Sequence, residues 1–131
     1  MQGYTKLSAP VLAAWASRAV PGLGMALEEA RILVRCAASD GEAYYTSTDG
    51  RLYVAEEDRA GNMQEADIFE ESQAAYGAVS TEYDAIEEKL DEEDLPQAEY
   101  MRLTRHARRI KSELDTLGGL IAKAEDAMAN R

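Results

Sequence analysis

Several things are scarce in this chain of 131 residues. It has one cysteine, Cys36, one histidine, His106, one tryptophan, one phenylalanine and three prolines. A lone thiol excludes an internal disulfide, so the fold rests on packing, which suits a reducing compartment. His106 lies among arginines with no evident catalytic partner, and Cys36 sits in an apolar stretch. That leaves little for nucleophilic or general acid–base chemistry. No CxxC, HExxH, P-loop or GxGxxG pattern occurs. The run Asp91-Glu92-Glu93-Asp94 lacks the spaced oxygen ligands and glycine of a calcium loop. No catalytic residue, cofactor or metal site is therefore expected, and the chain does not read as an enzyme.

Long apolar runs are missing too. Nothing approaches the roughly 20 residues of a membrane helix. The stretch LSAPVLAAWASRAV has the look of a secretory leader, but only one lysine precedes it and Arg18 interrupts it. Export is not expected, and a cytoplasmic location is. Basic residues are outnumbered, 14 against 25 acids, giving a formal charge of −11 and a pI near 4.5. Such a charge disfavours direct binding to nucleic acid or anionic membrane and favours a protein partner with a basic surface.

What is present is helical periodicity. Phe69, Tyr76, Val79, Tyr83, Ile86 and Leu90 recur at heptad spacing. Tyr100, Leu103, Ala107, Ile110, Leu114, Leu117, Ile121, Ala124 and Met128 step by three and four. Each set is an a/d seam, predicting helices over 63–94 and 97–129 joined at Asp94-Leu95-Pro96. Proline disfavours helix before it and opens the next one well. Antiparallel pairing keeps paired positions at a constant sum: Leu90 with Leu103, Ile86 with Ala107, Val79 with Leu114 and Phe69 with Ala124. Two positions break the pattern. Ser72 falls on the seam, and Gly118-Gly119 falls mid-helix with Gly77 opposite. Small residues there suggest close helix approach, with a hinge as the alternative.

Residues 1–62 read differently. Ser8 and Pro10 open a helix that Val20-Pro21-Gly22 ends. GMALEEARILVRCAAS reads as a second helix with Leu27, Ala30, Val34 and Ala37 on one face, although residues 31–37 also fit a strand. Asp49-Gly50 between alternating runs predicts a β-hairpin. A two-residue turn there puts Tyr45, Ser47, Leu52 and Val54 on one face and Tyr44, Thr46, Arg51 and Tyr53 on the other. The expected architecture is a mostly helical α+β fold. A long antiparallel, coiled-coil-like helical hairpin (63–131) and an N-terminal helical segment with a β-hairpin (1–62) form one compact domain.

The candidate surface residues are charged or aromatic. Residues 63–95 hold twelve acids against one lysine, so the bend should set an acidic helix end beside the basic run of the next helix. Asp84, Glu88, Asp91 and Glu92 form an outward carboxylate row able to imitate a phosphate backbone. Arg102, Arg105 and Arg109 form a basic stripe, which Glu99 and Glu113 are spaced to pair. Tyr44 and Tyr53 would be exposed anchors. The expected function is a non-catalytic, acidic protein-binding module. It would be an inhibitor or regulator occupying a basic, nucleic-acid-binding surface of a larger assembly, as a phage or mobile-element anti-defence protein does. The alternative is a self-assembling scaffold or chaperone, with a homodimer formed through the helical hairpin.

Overall fold

The computed structural model describes residues 3–59 and 61–130. In chain order the elements are β1 (Tyr4–Lys6), α1 (Ala9–Ala19), α2 (Leu27–Ser39), β2 (Glu42–Ser47), β3 (Leu52–Glu56), β4 (Gln64–Ala66), α3 (Ile68–Leu90) and α4 (Gln97–Ala129). The protein is an α+β fold, mostly helical, with an antiparallel sheet ordered β1-β2-β3-β4. Residues 31–37 are helical, inside α2. The expected hairpin is β2–β3, and the expected last helix spans the same residues as α4. The edge strands β1 and β4 were not expected. At three residues each they have no readable alternation, and Gln64-Glu65-Ala66 is not a strand-forming sequence.

The hairpin differs from expectation in register. Tyr45 pairs with Tyr53, Tyr44 with Val54 and Thr46 with Leu52. The loop is three residues rather than two. The Gly50 amide donates to the Ser47 carbonyl, and Gly50 follows in the left-handed region at φ 78°. This is a type I turn closed by a glycine bulge. Asp49 favours it by accepting from the Arg51 amide at 2.9 Å and the Ser47 hydroxyl at 2.8 Å. A shift of one residue exchanges the faces of one strand relative to the other. Tyr44, Leu52 and Val54 thus join the main core, whereas Tyr45 packs with Ala43 and Ala55 on the opposite face.

The helices stack behind the sheet. β2 packs on α2, α1 packs on α2, and α2 packs on both α3 and α4. The α2 face is partly the expected one: Ala30 and Ala37 are buried, but so are Ile32 and Leu33, while Leu27 is 40% exposed. Asp67 caps α3, accepting from the Phe69 amide at 2.8 Å, so that helix starts at Ile68 rather than 63 and ends at Leu90. Ser72 is fully buried and satisfied, its hydroxyl donating to the Ile68 carbonyl.

The chain directions of α3 and α4 are opposed. Tyr76 lies beside Gly118, Glu82 beside His106, and Phe69 beside Ala124. α4 is continuous through Gly118 and Gly119, so there is no helix break there. Close backbone approach is not present either: a Cβ at Gly118 would meet only the Tyr76 ring at 4.0 Å, and one at Gly77 or Gly119 would meet nothing.

The core of α4 departs from a two-helix seam. Leu120 and Ala127, off the expected stripe, are buried, whereas Tyr100 and Met128, on it, are 50% and 43% exposed. The reason is α2, which covers α4 from one side. Lys123 pairs with the buried Glu29 at 2.7 Å and also donates to the Gly24 carbonyl. Glu29 further accepts from the Ala26 amide at 2.7 Å, fixing the start of α2. At the other end of α2, Arg35 bridges Glu82 of α3 and Glu113 of α4.

Candidate functional site

These contacts define where α2 stops. Glu29 meets residue 123 and Arg35 meets residue 113, so α2 runs antiparallel to α4 and ends near the level of Ile110. Beyond it the hairpin continues toward the bend with only α3 and α4 to bury its core, through Ile86 and Leu103 and the half-buried Leu90 and Leu95. From Gln97 to Arg109 this arm rises about 18 Å. It carries most of the candidate residues.

Asp84, Glu88, Asp91 and Glu92 are all exposed on the arm. Asp84 and Glu88 are one turn apart, and Glu92 continues that stripe just past the helix end. Among the described residues none of the four makes an ion pair. The expected pairing of acidic helix end with basic run across the bend is therefore absent.

Arg102, Arg105 and Arg109 do share a face, and with His106 they line a shallow groove of about 370 Å³. Arg102 reaches Glu99 at 3.6 Å, a pair that is mostly exposed and contributes little. Arg109 does not pair with Glu113, which Arg35 takes instead. Arg109 donates to Nδ1 of His106, which leaves Nε2 as the protonated nitrogen facing Glu82 at 3.4 Å. Arg105 has no ion pair among the described residues. Tyr100 and Met101, both about half exposed, border the same arginine on its other side.

The two tyrosine anchors are placed otherwise than expected. Tyr44 is 4% exposed and donates to Glu71 of α3 at 3.1 Å, so it belongs to the core and leaves the candidate surface. The register shift is the cause. Tyr53 is half-buried on the outer sheet face, edge-on to Tyr4 with ring centroids 5.3 Å apart, and its hydroxyl bonds Asp49. The Tyr44, Glu29 and Arg35 contacts were invisible in the sequence, since their partners lie 27 to 94 residues away.

The reactive groups have structural surroundings. Burial pushes the Cys36 thiol up, away from the thiolate that a nucleophile needs. Among the described residues no group of three or more His, Cys, Asp or Glu side chains is placed to hold a metal ion. No helix among them is long and apolar enough to cross a membrane. Compared with protein-family models, curated proteins and solved structures, the chain matches none.

Proposed function

We propose that the protein is a non-catalytic acidic binding module. Its arm docks on a basic surface of a larger protein, one that otherwise holds nucleic acid, and so inhibits or regulates it, as a phage or mobile-element inhibitor would. The observation that supports this most is the carboxylate stripe of Asp84, Glu88 and Glu92. It stands on a projecting arm, exposed and without a cationic partner, although arginines are available on the neighbouring helix. Such a row costs self-repulsion within the chain and gains attraction only when a basic partner arrives. A single cysteine and acidic surface suit work in the cytoplasm. No cofactor or metal enters this reading.

The test is capture on the immobilised protein from an extract of the source cell, with a variant carrying Asp84→Lys, Glu88→Lys and Glu92→Lys alongside. The expected result is one stoichiometric nucleic-acid-binding protein, released by high salt, competed by its own nucleic acid and lost in the triple variant. Equal capture by the triple variant would remove the carboxylate stripe from the interface and end the proposal. A second reading, self-association, is favoured by the uncovered tyrosines of the hairpin.

A further inference from the structure

The hairpin of α3 and α4 has two long sides. α2 covers one, through Arg35 on Glu82 and Glu113. At 100° per residue, Tyr76 and Tyr83 of α3 and Tyr100 and Leu114 of α4 fall on the other. There Tyr76 is 41% and Tyr100 50% exposed, and Tyr83 and Leu114 are only half-buried. These are seam positions, apolar by pattern yet left partly open to water. They line the shallow channel between the helices, with Gly118 at its floor beneath Tyr76.

We infer that a second copy of this chain occupies this channel, forming a two-fold symmetric four-helix bundle. Charge identifies the occupant. On the open side near the bend, Glu87 and Asp91 flank the channel on α3, and Arg108 and Lys111 flank it on α4. None of the four makes an ion pair within the chain among the described residues. A two-fold axis parallel to the helices sets each α3 opposite the partner's α4 at the same height. Glu87 of one copy then stands nearly level with Arg108 of the other, twice, with Asp91 and Lys111 extending the acidic and basic edges on either side, which is the self-complementarity an isologous interface requires. All neighbouring helices are antiparallel, as in an up-and-down bundle. Tyrosine and arginine are also the residues that interfaces favour.

Net charge opposes association of two copies of −11. The opposition is weak where it counts. From Asp84 to Lys111 there are eight carboxylates and six lysine or arginine residues, so the arm is nearly balanced. Glu88 points away from the channel and stays free in the dimer, whereas Asp84 lies on the channel's margin, on the same face as Asp91.

Sedimentation equilibrium on the full chain tests this. The wild type is expected to sediment at twice 14.4 kDa. Tyr76→Glu with Tyr100→Glu should yield a folded monomer, its helicity checked by circular dichroism. Two surface variants decide the pairing without touching the core: Glu87→Arg with Asp91→Arg, and Arg108→Glu with Lys111→Glu. Each alone should weaken the dimer about tenfold or more, since like charges then face one another. Mixed in equal amounts, they should form a heterodimer, because both sets of pairs are restored with sign exchanged. A monomeric wild type at high concentration overturns the inference. So does a dimer indifferent to all three variants, or a mixture that stays monomeric. Asp84 lies within about 20° of Asp91 around α3, so sedimentation of the Asp84→Lys, Glu88→Lys, Glu92→Lys variant is read beside its capture: a loss of capture by a variant that still dimerises belongs to the carboxylate stripe alone.

Discussion

The Tyr44 hydroxyl donates to the Glu71 carboxylate at 3.1 Å, joining the inner face of the sheet to α3. Burial pushes the Glu71 carboxyl up, and the hydrogen bond from Tyr44 opposes that shift. Burial and the neighbouring carboxylate push the Tyr44 phenol above its ordinary range. The pair is therefore held by geometry against a desolvation cost. Tyr44→Phe should destabilise the fold by about 1–2 kcal/mol in urea denaturation, because Glu71 keeps the cost and loses its donor.

Glu71 also sets a pH dependence. Its folded pKa lies above 4.5, so between the unfolded and folded values the native state binds more protons. Stability attributable to this group then falls as pH rises from 4.5 through the folded value. Glu71→Gln keeps an acceptor for Tyr44 and abolishes that slope. The expected outcome is a variant at least as stable as wild type at neutral pH. A clear loss of stability there would mean that the charge of Glu71 is itself favourable.

Asp49 has the opposite sign. The Tyr53 hydroxyl, the Arg51 amide and the Ser47 hydroxyl hold its carboxyl down from 3.8 to about 2. The stabilisation is complete above 3.8 and is lost as pH falls toward about 2. Carboxyl NMR titration should give a midpoint near the lower value. Tyr53→Phe should raise it, as the phenol is the largest contributor. Asp49→Ala should lower the melting temperature and loosen the three-residue loop.

Much of this architecture was legible in the sequence, for identifiable reasons. Heptad spacing and Pro96 give both long helices, and Ala, Leu, Glu and Arg outweigh the β-branched pair in RILVRCA. The hairpin was legible, but its register was not. Asp49-Gly50 fits either a two-residue turn or the last part of a type I turn with a bulge, and only the packing of Tyr44 and Leu52 on the helices decides between them. The seam was half legible. Local periodicity cannot show that α2 covers α4 through Leu120 and leaves Tyr100 exposed. The charged residues were found, but their pairing was not, since Arg35 takes Glu113 from 78 residues away.

Gly119 offers a direct gain. It is exposed, helical and free of any neighbour within 4 Å of an added Cβ. Gly119→Ala should stabilise by about 0.5–1 kcal/mol, the helix-interior difference between the two residues. Gly118→Ala should gain at least as much, because the new methyl group meets the Tyr76 ring at 4.0 Å, an ordinary van der Waals contact. Thermal denaturation compares the two. A loss at Gly119 would mean that something other than helix propensity keeps glycine there.

The register of α3 on α4 is open to a chemical test. Tyr76 beside Gly118 and Phe69 beside Ala124 fit a pairing in which Val79 faces Leu114. Disulfides need Cβ atoms about 3.5–4.5 Å apart, a stricter demand than helix contact. In a Cys36→Ala background, Val79→Cys with Leu114→Cys should oxidise readily under mild oxidant, read as a mobility shift on non-reducing gels. Ile86→Cys with Leu114→Cys, displaced by two turns along α3, should not. The reverse order of crosslinking rates would sink the register, and with it the height match between Glu87 and Arg108 on which the proposed dimer depends.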